Sequence, residues 1–212
     1  MVDIAIIDYG MGNLRSVHQA LRTVAPTASI VVTDDPQEVA QAARVVFPGQ
    51  GAMPDCIREL DARGLRAAVL HAAQTKPFLG ICIGLQMLFE HSEEGDISGL
   101  AILHGKVVRF ASNLCDAQNN KLKVPHMGWN QVQHGNHPLW QGIDQNARFY
   151  FVHSYYVCPQ DTQFVQATSC YPQPFVCAVA RDNLFAVQFH PEKSQSAGRR
   201  LLDAFAFWVS EC

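Results

Sequence analysis

Short apolar runs alternate with amphipathic stretches through the first hundred residues. Val2 to Asp8 is an apolar run that ends at a glycine turn, and a helical pattern follows it. The same order returns from Ile30, from Arg44 and from Pro77. Strands that are apolar throughout and separated by helices are typical of a parallel sheet buried on both faces. The first half therefore predicts an α/β fold, an open and mostly parallel sheet with helices on both faces.

The pattern changes after about residue 100. The apolar runs that follow are rich in Val, Phe and Tyr, which favour strands, and no long helical pattern separates them. These runs cover residues 106–110, 148–156, 164–168, 176–180 and 185–190. They predict an antiparallel second half. Residues 111–123 predict an exposed loop, and a helix is predicted at the end of the chain. The positions that share one face of this helix are Leu201, Leu202, Phe205, Trp208 and Val209.

Length and composition narrow the class of protein. A chain of 212 residues without a repeat or linker predicts a single domain over residues 1–212. Charged residues make up 17% of it, below the roughly 25% of a typical soluble domain, which favours a surface partly covered by a partner. The net charge of −3, without a cationic block, disfavours binding to nucleic acid.

Neither a membrane span nor a signal peptide is predicted. No apolar run approaches the roughly 20 residues of a membrane helix, and residues 1–5 lack a charged start and a cleavage pattern. We therefore expect a cytoplasmic protein that does not bind membranes.

The seven cysteines do not form a metal-binding or disulfide pattern. Their number is odd and no two make a C-x-x-C pair, so free thiols are expected. His134 and His137 are close in sequence but have no cysteine or carboxylate beside them. We expect neither a metal site nor a cofactor.

One cysteine has unusual surroundings. In Gly80-Ile81-Cys82-Ile83-Gly84, a predicted buried strand meets a helix. The flanking glycines allow close approach of neighbouring backbone while Cys82 takes a strained turn, as in a nucleophile elbow with sulfur in place of oxygen. Such a turn places the side chain at the carboxyl end of the sheet, and the N–H groups of the next helix favour the thiolate. A buried structural cysteine in a glycine-rich turn is the alternative for this motif alone.

The segment Phe189-His190-Pro191-Glu192 supplies candidate partners for the thiol. In a strand, side chains two positions apart point the same way, so His190 and Glu192 are predicted to lie together. The imidazole would then take the thiol proton while the carboxylate fixes its tautomer. Pro191 favours a strand edge or end. A solvated strand end is the alternative for this segment alone.

Several segments together resemble one family. The matching segments are residues 8–13, 48–51, 80–86, 125–130, 150–155 and 188–193. Over essentially the whole chain, the sequence resembles the class I (triad-type) glutamine amidotransferases. The run Pro125-His126-Met127-Gly128-Trp129-Asn130 is similar to the glutaminase subunits of imidazole glycerol phosphate synthases, from histidine biosynthesis. The resemblance implies the flavodoxin-like class I glutaminase fold.

The resemblance also implies an activity and a set of site residues. Glutamine would be hydrolysed through a cysteine thioester, with Cys82 as nucleophile, His190 as general base and acid, and Glu192 as orienting carboxylate. The backbone N–H groups of the oxyanion hole would come from Gln50, Gly51 and Ile83. The residues that bind glutamine would be Gly49, Gly51, Gln86, Glu94, His153, Ser154 and Tyr155.

The turn at Pro48-Gly49-Gln50-Gly51 departs from the P-G-V-G usual in this family. The oxyanion donor is a main-chain N–H, so a changed side chain need not remove it. Our hypothesis is that hydrogen bonds of the Gln50 side chain alter how readily the hole forms.

A glutaminase of this length needs a partner that uses the ammonia. The resemblance implies a heterodimer with a (β/α)8-barrel cyclase, which takes up ammonia and forms imidazole glycerol phosphate and aminoimidazole carboxamide ribotide. The residues that would contact the cyclase are Asn13, Met127, Trp129 and Lys193. Ordinary loop packing explains Met127 and Trp129 equally well.

Other functions remain open at this point. The same glutaminase could serve a different acceptor synthase, such as one that amidates a surface sugar. A non-catalytic regulatory subunit is disfavoured because Cys82, His190 and Glu192 are all present. Gly10 and Gly12 suggest a dinucleotide-binding turn, but Arg15 stands where that motif requires its third glycine.

Overall fold

The first half of the chain alternates strands and helices as predicted. The computed structural model describes residues 2–116 and 118–209. The strands of this half are β1 (Ile4–Ile7), β2 (Ile30–Thr33), β3 (Arg44–Gly49) and β4 (Phe78–Cys82). The helices between them are α1 (Leu14–Val24), α2 (Pro36–Gln41), α3 (Met53–Ala62) and α4 (Arg66–Thr75).

The second half is built mainly from strands and closes with a long helix. A one-turn helix, α5 (Ile83–Gln86), follows β4 directly. The strands are β5 (Phe89–Ser92), β6 (Ile97–Ser98), β7 (Leu103–Arg109), β8 (His126–His134), β9 (Ala147–His153), β10 (Tyr155–Pro159), β11 (Val165–Cys170), β12 (Pro174–Arg181) and β13 (Leu184–Val187). The last helix is α6 (Gln195–Phe207), and 3₁₀ turns cover Pro138–Trp140, Thr162–Phe164 and Pro191–Lys193.

The described strands join into one sheet with two kinds of pairing. Its order is β2-β1-β3-β4-β13-β12-β10-β7-β5-β6, while β11 pairs with β12 and β8, and β9 pairs with β8. Pairing from β2 through to β13 is parallel. Beyond β13, the pairs are antiparallel except for β5 with β7. The predicted mixture of a parallel first half and an antiparallel second half is confirmed.

Helices cover both faces of the parallel strands. The chain passes from β1 to β2 in one direction across the sheet and from β2 to β3 in the other. Because crossovers between parallel strands are right-handed, these two connections lie on opposite faces. Helix α1 contacts α6 and α2 contacts α4, consistent with this arrangement. All residues of β1, β4 and β13 are buried, which explains their uninterrupted apolar sequence.

Three local predictions were wrong. The apolar positions at 85–89 predict a helix that continues to Phe89, but it ends at Gln86, because Phe89 already begins a strand that pairs with β7. His190 lies outside any strand, since Pro191 has no N–H for a strand ladder and begins a 3₁₀ turn. Val209 is 80% exposed beyond the end of α6 and does not belong to its buried face.

The exposed loop predicted at residues 111–123 is confirmed for its described positions. Most of them are exposed, and Cys115 pairs with Lys121 in an isolated bridge. Six cysteines in the described ranges are free thiols, while Cys212 lies outside the described residues.

The sheet brings three segments together at one edge. In the register of β3 with β4, Gly49 stands opposite Cys82, and in that of β13 with β4, Val187 stands opposite Ile81. The turn after β3, the elbow after β4 and the segment after β13 therefore meet at the carboxyl ends of neighbouring parallel strands, where sites in open α/β sheets form.

Candidate active site

The elbow at Cys82 has the predicted strained backbone. Cys82 has φ 57° and ψ −111°, which is sparsely populated for a residue with a side chain. A Cβ on Gly84 would overlap the backbone carbonyl oxygen of Phe47, and one on Gly80 would lie 2.9 Å from the Ala186 Cβ. Close backbone approach therefore requires glycine on both sides of the cysteine.

His190 and Glu192 form the predicted pair, through a different local structure. Their Nδ1 and Oε1 atoms are 2.9 Å apart, and their side chains are 4% and 1% exposed. The contact comes from the 3₁₀ turn at Pro191–Lys193 and not from strand alternation. Because the carboxylate accepts from Nδ1, the other ring nitrogen, Nε2, is left for a reacting group.

The charge state of His190 depends on its neighbours. Burial, the largest single influence, lowers the pKa of His190. The Cys82 sulfur and the Glu192 carboxylate outweigh it and raise that pKa to about 10. The surroundings therefore favour an imidazolium next to the sulfur, the arrangement that activates a cysteine nucleophile.

A cavity of about 310 Å³ surrounds Cys82. Its walls contain ten of the predicted site residues: Gln50, Gly51, Cys82, Ile83, Gln86, Glu94, His153, Ser154, Tyr155 and His190. Glu192 lies behind His190. Gly49 does not line the cavity, because it is enclosed by the Tyr9 hydroxyl, Ile83 and Gly84.

Buried side chains hold the turn after β3 from below. The Tyr9 hydroxyl donates to the Pro48 carbonyl oxygen at 2.8 Å, and the Cys56 thiol donates to the Gln50 carbonyl oxygen at 3.5 Å. Burial raises the pKa of Cys56 to about 11, which keeps it a protonated donor. The Gln50 side chain is exposed and makes no hydrogen bond within the described ranges. The hypothesis that hydrogen bonds of the Gln50 side chain bias the turn is therefore not supported. The turn is held instead by Tyr9 and Cys56, which sequence reasoning missed.

The part of the cavity wall that contains Gln86, His153 and Tyr155 is held together at the Tyr155 carbonyl oxygen. This oxygen accepts from Gln86 Nε2 at 3.2 Å and from His153 Nδ1 at 2.7 Å. His153 Nε2 then accepts from His126 Nδ1 at 3.0 Å, so both ring nitrogens of His153 are occupied. The two ring nitrogens are thus engaged within the wall, so the expected contact of His153 with glutamine would come from its backbone.

Burial keeps these two imidazoles neutral. It lowers the pKa of His153 to about 3 and that of His126 to about 4. His126 Nε2 accepts from Asn130 Nδ2 at 3.2 Å. The hydrogen bonds therefore all run in one direction, from Asn130 through His126 and His153 to the Tyr155 carbonyl oxygen.

Unpartnered buried atoms concentrate at this site. Among the described residues, Gln86 Oε1, His190 Nε2 and Glu192 Oε2 are buried without a hydrogen-bond partner. One oxygen of Glu94 is already engaged, since Oε2 accepts from the backbone N–H of Met53 at 2.8 Å. The cavity therefore offers both an acceptor and a proton-carrying group to a polar ligand.

The residues predicted to contact a partner lie on segments next to the site residues. Met127 is 63% and Trp129 38% exposed on β8. The Trp129 ring packs edge-on against Tyr150, and Lys193 Nζ lies 5.9 Å from the centre of the Tyr150 ring. Asn13 precedes α1, which contacts the turn that carries Lys193.

The described part of the chain has neither a metal-binding cluster nor a membrane-spanning helix. Over residues 2–116 and 118–209, no cluster of three His, Cys, Asp or Glu side chains could hold a metal ion. None of the helices in the described part of the chain is long and apolar enough to cross a membrane.

Comparison with known proteins identifies the class. Residues 5–208 match the family model described as glutamine amidotransferase class-I. The chain belongs to the class I glutamine amidotransferase family, which is a family of glutaminase enzymes. Its fold is similar to that of a solved structure, PurLQS from Thermotoga maritima. The TM-score is 0.67 at 18% identity, over 97% of this chain and 98% of that one.

The curated relatives narrow the class further. The chain is 62% identical over 209 residues to imidazole glycerol phosphate synthase subunit HisH from Thiobacillus denitrificans, covering 98% of this chain and 92% of the relative. It is 64% identical over 210 residues to the subunit of the same name from Nitrosospira multiformis, covering 98% and 99%.

Proposed function

We propose that this chain is the glutaminase subunit of an imidazole glycerol phosphate synthase. It hydrolyses glutamine to glutamate and ammonia and passes the ammonia to a cyclase. One observation carries the catalytic part: Cys82, in a strained elbow, shares a cavity wall with His190, whose other nitrogen is held by Glu192 at 2.9 Å.

In the first half of the reaction, the Cys82 thiolate attacks the carboxamide carbon of glutamine. The negative charge that develops on the carboxamide oxygen is stabilised by backbone N–H groups of Ile83 and of the Gln50–Gly51 turn. Loss of one such donor typically costs on the order of 3 kcal/mol of transition-state stabilisation. His190, charged as imidazolium, gives its Nε2 proton to the leaving nitrogen, and ammonia departs from a γ-glutamyl thioester.

In the second half, water attacks the thioester carbon. His190, now neutral, takes a proton from that water, and the C–S bond breaks to release glutamate and the Cys82 thiolate. Glu192 keeps the imidazole in one tautomer through both steps.

The cavity walls support the binding of the amino-acid end of glutamine. Gln86 Oε1 is buried and unpartnered, so it can accept from the substrate ammonium group. The Ser154–Tyr155 backbone and the Glu94 carboxylate lie on the same cavity. We assign these groups, with Gly51, to glutamine binding.

The proposal includes a single catalytic domain over residues 1–212, a cytoplasmic location and a heterodimer. The partner is a cyclase with a (β/α)8 barrel, docked on the surface formed by Asn13, Met127, Trp129 and Lys193. The large exposed side chains of Met127 and Trp129 beside the site support this choice.

The test is to mix the chain with a candidate cyclase and its ribotide ligand and to measure glutamate and imidazole product together. We expect the chain alone to hydrolyse glutamine slowly. In the mixture we expect a higher rate, with imidazole product formed in an amount equal to the glutamate released. Stimulated glutamate release without imidazole product would assign the chain to another acceptor synthase. Equal glutamate release with and without the cyclase would contradict the proposed coupling.

A further inference from the structure

Gln188 contacts the sulfur of Cys82 and has no role in the mechanism described so far. It lies between β13 and His190 and is completely buried. Its Nε2 atom is 3.7 Å from Cys82 Sγ, and its Oε1 atom accepts from Gln86 Nε2 at 3.0 Å. The amide thus bridges the nucleophile and the opposite wall of the cavity.

The direction of this amide is fixed by a backbone carbonyl. The Tyr155 carbonyl oxygen can only accept, so Gln86 must turn its NH₂ group toward it. The second hydrogen of the same NH₂ group reaches Gln188 Oε1. If the Gln188 amide were reversed, two NH₂ groups would face each other. The Gln188 amide is therefore oriented with an N–H group toward the sulfur.

The sulfur needs such a donor. Cys82 is almost completely buried, and burial disfavours a thiolate unless donors or positive charge face it. The helix after the elbow has only four residues, Ile83–Gln86. The dipole of so short a helix is small, because it sums over few peptide units. Among the described residues, the Gln188 amide is the side chain that donates a hydrogen bond to this sulfur, since His190 Nε2 has no hydrogen-bond partner.

We propose that Gln188 is a catalytic residue that donates a hydrogen bond to the Cys82 thiolate and stabilises it before attack. The inference rests on the proposed role of Cys82 as nucleophile. The amide moves no proton and forms no covalent bond. Its orientation depends on the network from the Tyr155 carbonyl through Gln86, so these groups act as positioning residues for the donor.

The test measures the reactivity of the sulfur and does not require glutamine turnover. The full-length chain is treated with iodoacetamide at pH values between about 4 and 9, and alkylation of Cys82 is quantified by peptide mass spectrometry. Gln188→Met removes the donor at similar side-chain length. Gln188→Glu keeps an acceptor for Gln86 but places a carboxylate against the sulfur. Gln41→Met, on the exposed end of α2, is the matched control.

We expect the pH midpoint of Cys82 alkylation to rise by about one to two units in Gln188→Met, since a hydrogen bond to a charged group is worth roughly that much. The rise should be larger in Gln188→Glu. The exposed Cys115 in the same sample should alkylate at its wild-type rate in every variant. Gln41→Met should behave as wild type. Urea unfolding of each variant identifies any that fails to fold, and the other variant then decides.

An unchanged Cys82 midpoint in a folded Gln188 variant would overturn the inference, even if glutaminase activity fell. A purely structural role would lower activity without moving this midpoint. The proposed function fails separately: a Cys82→Ser chain that releases glutamate at the wild-type rate would remove Cys82 from catalysis, whatever the Gln188 variants show.

Discussion

Acidification should destabilise this protein through a histidine that supports the cavity wall. The His153 side chain is almost completely buried, and both ring nitrogens are hydrogen-bonded, Nδ1 to the Tyr155 carbonyl oxygen and Nε2 to His126. A second proton on this ring would meet the N–H of His126. Burial is the main cause that lowers its pKa to about 3.

The sign and size of the effect follow from this pKa. The unfolded chain takes up a proton at His153 as the pH falls through about 6.5, whereas the folded chain does not do so until about 3. The folded state therefore loses stability as the pH falls between these values. At about pH 5, roughly 1.5 units below the unfolded pKa, the loss from this one residue is about 2 kcal/mol.

The assay is urea unfolding at about pH 7 and pH 5 for the wild type and for His153→Gln. The fall in unfolding free energy between the two pH values should be about 2 kcal/mol smaller in the variant. His71→Gln, an exposed histidine on α4, is the control and should show the wild-type fall. An equal fall in the wild type and in His153→Gln would refute the reasoning.

Four further substitutions test the elbow at Cys82 and the turn after β3. Gly84→Ala should lower the unfolding free energy by about 1–3 kcal/mol and abolish glutaminase activity, because its Cβ overlaps backbone of β3. Gly135→Ala, which has only ordinary contacts, should be close to neutral in urea unfolding, and equal losses in the two variants would contradict this. Tyr9→Phe leaves the buried Pro48 carbonyl oxygen without its donor. This should lower the unfolding free energy by about 1–3 kcal/mol and reduce glutamate release. Gln50→Val should leave that rate within about twofold, since the Gln50 side chain is exposed, and the reverse order of effects would show that Gln50 controls the turn.

The architecture could be predicted from sequence because parallel strands buried on both faces are visible as uninterrupted apolar runs. Ile4–Ile7 is apolar at every position since both of its faces are covered. The pairing of His190 with Glu192 was predicted from strand alternation, which does not apply there. Pro191 is compatible with both a strand edge and the first position of a helical turn, so the sequence alone did not decide between them.

The contacts that hold the site could not be predicted in the same way. The Tyr9 hydroxyl meets a carbonyl 39 positions away, and Gln188 meets Cys82 across 106 positions. Both contacts depend on the register of neighbouring strands and leave no periodic pattern. The support of the cavity wall by His126 and His153 likewise needs two adjacent strands in a particular register.

The central claim is that Cys82 forms a covalent intermediate with glutamine. The most direct measurement is to quench the chain during turnover, in complex with the cyclase, and to map the modified peptide by mass spectrometry. We predict the mass of one γ-glutamyl group on the peptide that contains Cys82 and on no other cysteine, with none in Cys82→Ser. A γ-glutamyl group on a different cysteine, or undiminished glutamate release by Cys82→Ser, would contradict it.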